Sequence, residues 1–291
     1  MIEQPSQPPL LETQTLSRVF GHGRQAVHAV ERVTFSIQPG EIVAVVGESG
    51  SGKSTLARLV LRLLDPTSGQ IMLHGQDVTK LYRSGDLKRY WRQVQGVFQD
   101  PFAAFNQFSS IRRVLRKALY VMDQTLSRDE QAQRIETALR EVGLDPADVL
   151  HKWPHQLSGG QLQRAMIARA LVVGPELLIA DEPTSMVDAS LRVTVLNMLM
   201  DLRHRHAMSI LFITHDLGQA YYMSDRILVM YQGAVVEQGP VERVLAHPQH
   251  AYTQRLLADV PRLRSGAVSG MERTSKTTAL QRHSPGVALR C

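Results

Sequence analysis

Residues 47–55 read Gly47-Glu48-Ser49-Gly50-Ser51-Gly52-Lys53-Ser54-Thr55, with glycines crowded ahead of a lysine and two hydroxyls. Those glycines allow the backbone to turn tightly and to aim successive N–H groups into one concavity, which is a cradle for an anion. Lys53 adds a point charge suited to the β- and γ-phosphates of a nucleotide, and the Ser54 hydroxyl is placed to ligate Mg2+. A second group, Asp181-Glu182, closes an apolar run. Asp181 there can hold the metal through water, while Glu182, slightly farther out, can polarise an attacking water as general base. Either motif alone could be an ordinary Gly/Ser loop or a chance acidic strand end. Together they describe a site for nucleotide hydrolysis.

Both motifs need strands to hold them. The runs 42–46, 177–180, 210–214 and 227–230 have strand length, contain β-branched residues and are mostly separated by segments long enough for helices. That pattern predicts a parallel sheet covered on both faces. Residues 56–61 continue the phosphate loop as a helix that begins near Lys53 and turns its positive end to the cradle. Residues 232–239 read as a hairpin return with Gln232-Gly233 at the turn, and residues 11–37 alternate apolar and polar as an antiparallel layer does. Between Asp100 and about Val173 the periodicity becomes helical, notably at 111–122 and 128–142, with Ser127 as N-cap and Gly143 as stop. The expected fold is α/β: a P-loop NTPase (RecA-like) core with an antiparallel β layer and an inserted α-helical subdomain. The expected division is an ATPase domain over 11–261, with the core at about 11–99 and 174–240. The helical part then covers about 100–173 and a C-terminal extension about 241–261.

A third motif, Leu157-Ser158-Gly159-Gly160-Gln161, resembles the signature of ABC ATPases and lies upstream of Asp181 as it does in that family. Ser158 and the N–H groups of Gly159 and Gly160 would open a helix and form a second phosphate cradle. Ser158 would also serve as a plain N-cap. The resemblance implies that Ser158, Gly159, Gly160 and Gln161 cap the γ-phosphate of ATP bound to another subunit, so that two nucleotides lie between two domains. It further implies that Gln99 is the glutamine that joins the helical part to the core and contacts the metal or water. On the same basis His215 is the switch histidine at the γ-phosphate, and Asp188 lies in the loop across the dimer interface. Ser185-Met186-Val187-Asp188 carries Met-Val where the family more often has Ala-Leu. Phe20 is the candidate for the aromatic that stacks on adenine, and it could equally be a core residue. Asp100-Pro101-Phe102-Ala103-Ala104-Phe105-Asn106 and His247-Pro248-Gln249-His250-Ala251-Tyr252-Thr253 resemble the importer branch for di- and oligopeptides, nickel and some oligosaccharides.

The implied cofactors are ATP and Mg2+. The implied partners are integral-membrane permease subunits, a second ATPase subunit (itself or a related chain) and, indirectly, an extracytoplasmic solute-binding protein. The implied location is the cytoplasmic face of the cell membrane, held peripherally. Composition agrees: the 291 residues are 43% hydrophobic and 21% charged, which is globular, and no run approaches the ~18 apolar residues of a membrane helix. The opening residues lack the order of a signal peptide. The lone cysteine, Cys291, allows neither an internal disulfide nor a cysteine cluster. The net charge of +6 does not argue for nucleic acid, because +5 of it lies from Arg262 onward, in a segment that reads as a basic, disordered tail. A nucleic-acid-acting ABC ATPase, a regulatory subunit with little turnover and an exporter ATPase are the alternative readings. One cassette without coiled coils or zinc inserts weighs against the first. The intact Glu182 and His215 weigh against the second, and the 100–106 and 247–253 segments against the third.

Overall fold

A strand buried on both faces has no need to alternate in polarity, and Ile42–Val46 (β3) is fully buried along its whole length. The computed structural model describes residues 8–123 and 125–259, so the segment from Arg262 lies outside the described residues. The other strands are β1 (Leu11–Phe20), β2 (Val27–Ile37), β4 (Ser68–Leu73), β5 (Gln76–Asp77), β6 (Val94–Val97), β7 (Leu177–Asp181), β8 (Ser209–Ile213), β9 (Arg226–Tyr231) and β10 (Ala234–Pro240). Six of them form a sheet in the order β10-β9-β3-β8-β7-β6, parallel except for β10 at the edge. The other four form the antiparallel layer β2-β1-β4-β5.

The period of two along each central strand divides the interior into two cores. Ile42, Ala44 and Val46 face a core shared with the helices, as do Leu178, Ala180, Ile210 and Phe212. Val43 and Val45 face the other core, with Ile179, Leu211 and Ile213, against the antiparallel layer and the helix that follows the phosphate loop. That helix is α1 (Lys53–Val60), and the next is α2 (Ser84–Gln93). Then come α3 (Pro101–Ala104), α4 (Ile111–Met122), α5 (Arg128–Glu141), α6 (Pro146–Val149) and α7 (Gly159–Leu171). The remaining helices are α8 (Ala189–His206), α9 (Leu217–Met223), α10 (Val241–Ala246) and α11 (Ala251–Ala258).

The helix expected at 128–142 starts where Ser127 predicts: its hydroxyl accepts from the Glu130 N–H, and Glu130 returns a bond to the Ser127 N–H. Gly143 follows the helix with φ +69. The hairpin at 232–239 is also found, with Gln232 and Gly233 both at positive φ, as a tight turn between β9 and β10 requires. The patterns did not reveal β4, β5, β6 or α2. β6 is only Val-Gln-Gly-Val, too short and too mixed to show a period, and the first half of β4 is Ser-Gly-Gln. Among the described residues no helix is long and apolar enough to cross a membrane.

Candidate functional site

The phosphate loop leaves the C-terminal end of β3 and enters α1. Gly47 and Gly52 are glycines for steric reasons as well as for their positive φ. A Cβ on Gly47 would lie 2.2 Å from the Met230 carbonyl oxygen, and one on Gly52 would lie 2.1 Å from that of Ala29. Strands β9 and β2 therefore clamp the loop at both ends. Gly52 is the N-cap of α1 and offers no capping side chain. The first N–H groups of α1 are left to an outside acceptor, whereas Ser127 and Ser158 bond those of α5 and α7 themselves.

Lys53 Nζ donates to the Gly47 carbonyl at 2.8 Å and the Glu48 carbonyl at 2.7 Å, so its charge sits on the inner side of the loop. Burial pushes the Lys53 ammonium below its ordinary pKa, opposed by the charges of Glu182, Asp181 and Glu48. Asp181, the last residue of β7, accepts from the Ser54 hydroxyl at 3.3 Å. Burial raises its carboxyl above the usual range, and the Ser54 bond works against that rise.

The register of the sheet explains why these groups meet. Val45 pairs with Ile213, Ile213 with Asp181 and Ala180 with Val97, so four parallel strands end nearly flush. Residues just past those ends necessarily share one rim. Glu182 follows β7 at φ +48, an uncommon conformation for a residue with a Cβ, held by its N–H bond to the Ile213 carbonyl. One carboxylate oxygen accepts from Gln99 Nε2 at 3.0 Å, and the other lies 3.1 Å from His215 Nδ1. His215 is fixed between Thr214, whose hydroxyl accepts from the Asp216 N–H, and Asp216, which caps α9. The Ser185 hydroxyl donates to the Gln99 carbonyl and steadies the same loop, a contact the motifs did not announce.

Thus Gly47, Glu48, Ser49, Gly50, Ser51, Gly52, Lys53, Ser54 and Thr55 form one loop at the rim where Gln99, Asp181, Glu182 and His215 converge. The other named residues stand apart. Ser158 caps α7, its hydroxyl accepting from the Gln161 N–H and the Gln161 side chain accepting from the Ser158 N–H. Among the described residues no hydrogen bond joins Ser158, Gly159, Gly160 or Gln161 to the phosphate loop, Asp181, Glu182 or His215. Asp188 is exposed and stands at the N-cap of α8 with no side-chain capping bond. Phe20 pairs with Val27 at the loop end of the β1–β2 hairpin, and Val27 lies two residues before Ala29, which abuts Gly52. It is 38% exposed, with the Arg18 guanidinium 4.7 Å from its ring centroid.

A phosphate loop on the central strand, with a buried carboxylate delivered to its serine from a strand two places away, defines a P-loop nucleotide-hydrolysing protein. Residues 30–185 match the ABC transporter family. A putative peptide import ATP-binding protein of Brucella ovis is 40% identical over 256 residues, 88% of this chain and 80% of that one. The oligopeptide transport ATP-binding protein OppF of Streptococcus pyogenes is 39% identical, over 87% of this chain and 82% of that one. Among solved structures, the ATP-binding cassette MJ0796, a dimer in a post-hydrolysis state bound to ADP and Pi, superposes with a TM-score of 0.73. It is 26% identical and covers 79% of this chain and 98% of its own. The cbiO1 protein of Clostridium perfringens, from an ABC transporter complex, superposes with a TM-score of 0.72 at 27% identity, over 88% of this chain and 97% of its own. The chain belongs to the ABC transporter family and is an ATP-binding, ATP-hydrolysing subunit.

Proposed function

We propose that the chain powers a peptide-type importer from the cytoplasmic face of the cell membrane, and that it works as one half of an ATP-closed dimer. The observation that carries the site assignment is the meeting of Gln99 and His215 on the Glu182 carboxylate, beside the Ser54–Asp181 pair. In this reading Lys53 and the N–H groups from Gly47 to Thr55 hold the phosphates of ATP, and Phe20 stacks on the adenine. Ser54 and Asp181, with Gln99, are the groups that would hold Mg2+, and a hydroxyl with a carboxylate is a donor set suited to that hard cation. Mg2+ there would neutralise charge developing on the β- and γ-phosphate oxygens. Glu182 takes the proton of the attacking water, while Gln99 and His215 orient the carboxylate and the γ-phosphate.

Ser158, Gly159, Gly160, Gln161 and Asp188 complete the site of a second subunit, either another copy or a related chain. That no hydrogen bond among the described residues joins Ser158, Gly159, Gly160 or Gln161 to the phosphate loop of their own chain is in keeping with a role across an interface. Contacts to the γ-phosphate that ADP cannot make drive closure, and hydrolysis releases it. The partners are two integral-membrane permease subunits and, through them, an extracytoplasmic solute-binding protein. Peptides are the proposed cargo because the relatives named above are peptide and oligopeptide transport subunits.

The test is affinity purification of the full chain from membranes in mild detergent, with mass spectrometry of what accompanies it. Two multispanning permeases, with or without a related ATPase, are the expected companions. Recovery as a soluble chain with nucleic acid or ribosomal proteins overturns the proposal.

A further inference from the structure

We infer that Tyr252, supported by Arg255, is a positioning residue of the phosphate loop, so that α11 braces the nucleotide site from its outer side. The inference rests on the proposed role of the loop in holding ATP. Glu48, the second residue of the loop, turns its N–H away from the Lys53 side and donates it to the Tyr252 hydroxyl at 2.9 Å. A backbone N–H in a tight loop needs an acceptor, and here the acceptor comes from 204 positions away. The Glu48 side chain is engaged too, pairing with Arg255 one turn along α11 at 3.3 Å. Arg255 also lies 5.4 Å from the Tyr252 ring centroid.

The brace is itself anchored. The Tyr252 ring is 5% exposed and stacks on Tyr231 with centroids 4.2 Å apart. Tyr231 adjoins Met230, the residue whose carbonyl closes over Gly47, and Gly233 beyond it donates to the Ser51 carbonyl. The start of α11 is tied to the sheet by Glu237 of β10, whose carboxylate accepts from the N–H groups of Gln249 and His250 at 2.8 and 3.0 Å. His250 then caps the helix by accepting from the Tyr252 N–H. The hydroxyl that holds Glu48 is thus fixed to the same hairpin that clamps the loop. Lys53 Nζ bonds at 2.8 Å to the Gly47 carbonyl, which shares one trans peptide group with the Glu48 N–H and points the opposite way, so a shift of that plane would move the lysine as well.

The experiment uses the full chain and its Tyr252→Phe variant, which keeps the stacked ring and removes only the acceptor. Kd for ATP, kcat and KM for hydrolysis, and hydrogen exchange of the peptide spanning 47–52 are measured with Mg2+ present. The expected result is a roughly three- to tenfold rise in Kd and KM, the range of one neutral hydrogen bond, with kcat within about twofold. Exchange of the loop peptide is expected to quicken. Unchanged ATP affinity and loop exchange overturn the inference, as does a fall in kcat alone with KM unmoved. Should the Phe variant fail to fold, Arg255→Gln at an exposed position gives the same exchange readout, where no change again refutes it. A wild-type chain that does not bind ATP would instead sink the functional proposal.

Discussion

Replacing Glu182 with glutamine separates chemistry from architecture. The carboxylate is 19% exposed and spans two partners, Gln99 Nε2 at 3.0 Å and His215 Nδ1 at 3.1 Å. A glutamine of the same shape can accept from Gln99 with its oxygen and donate to a neutral His215 with its amide. Both bonds survive but lose their charge. Bonds to charged groups contribute about 1.5–3 kcal/mol and neutral ones about 0.5–1.5 kcal/mol, so each of the two bonds loses about 1–1.5 kcal/mol and together about 2–3 kcal/mol before screening. His215 is 68% exposed, which places its share at the low end. That corresponds to a fall in Tm of a few degrees. Removing a general base costs a factor of about 10²–10⁴, equivalent to roughly 3–5 kcal/mol of barrier. Steady-state ATPase activity of Glu182→Gln should therefore collapse while ATP affinity stays within a few-fold, and size-exclusion chromatography with ATP should show a long-lived dimer. Turnover within tenfold of wild type would refute the assignment of Glu182 as base.

Two further outcomes follow from the same rim. Lys53→Ala removes the buried ammonium proposed to face the phosphates, and ATP affinity should fall about ten- to a hundredfold; near-normal binding by calorimetry would count against the cradle. Asp181→Asn should raise the Tm of the chain measured without nucleotide or Mg2+ while abolishing hydrolysis. Burial lifts the Asp181 carboxyl above its unfolded pKa, so the native state binds this proton more tightly. Its contribution to stability is therefore greatest below the unfolded pKa and is lost as pH rises through the folded one. The Tm gain of the variant should accordingly be present at neutral pH and shrink on acidification through the carboxylate range. A gain that persists unchanged in acid would show that charge burial is not its cause.

The phosphate loop was legible because it is local. Its turns and its cation lie within one short run, where glycine, lysine and serine leave few other readings. The N-cap at Ser127 and the turn at Gln232-Gly233 were legible for the same reason. β6 was not, since Val-Gln-Gly-Val owes its strand character to its pairing with β7 rather than to any pattern of its own. The grip of Tyr252 on Glu48 was also hidden, although its segment stood out by resemblance. Nothing in the chain's periodicity says that a late helix reaches back to an early loop.

Residue types and short spacings were enough to read a nucleotide-hydrolysing chain and to nominate the loop and the carboxylate proposed to act on it. They could not decide that Gln99 and Glu182, 83 positions apart, and His215, 33 beyond Glu182, would touch. That depended on strand order and register. β8 inserts between β3 and β7, and the pairings of Val45, Ile213, Asp181 and Val97 with their neighbours end those strands together. Side chains a residue or two past the ends are then delivered to one edge. Long-range pairing is settled by burying both faces of the sheet at once, a property of the whole packed chain that no local segment contains.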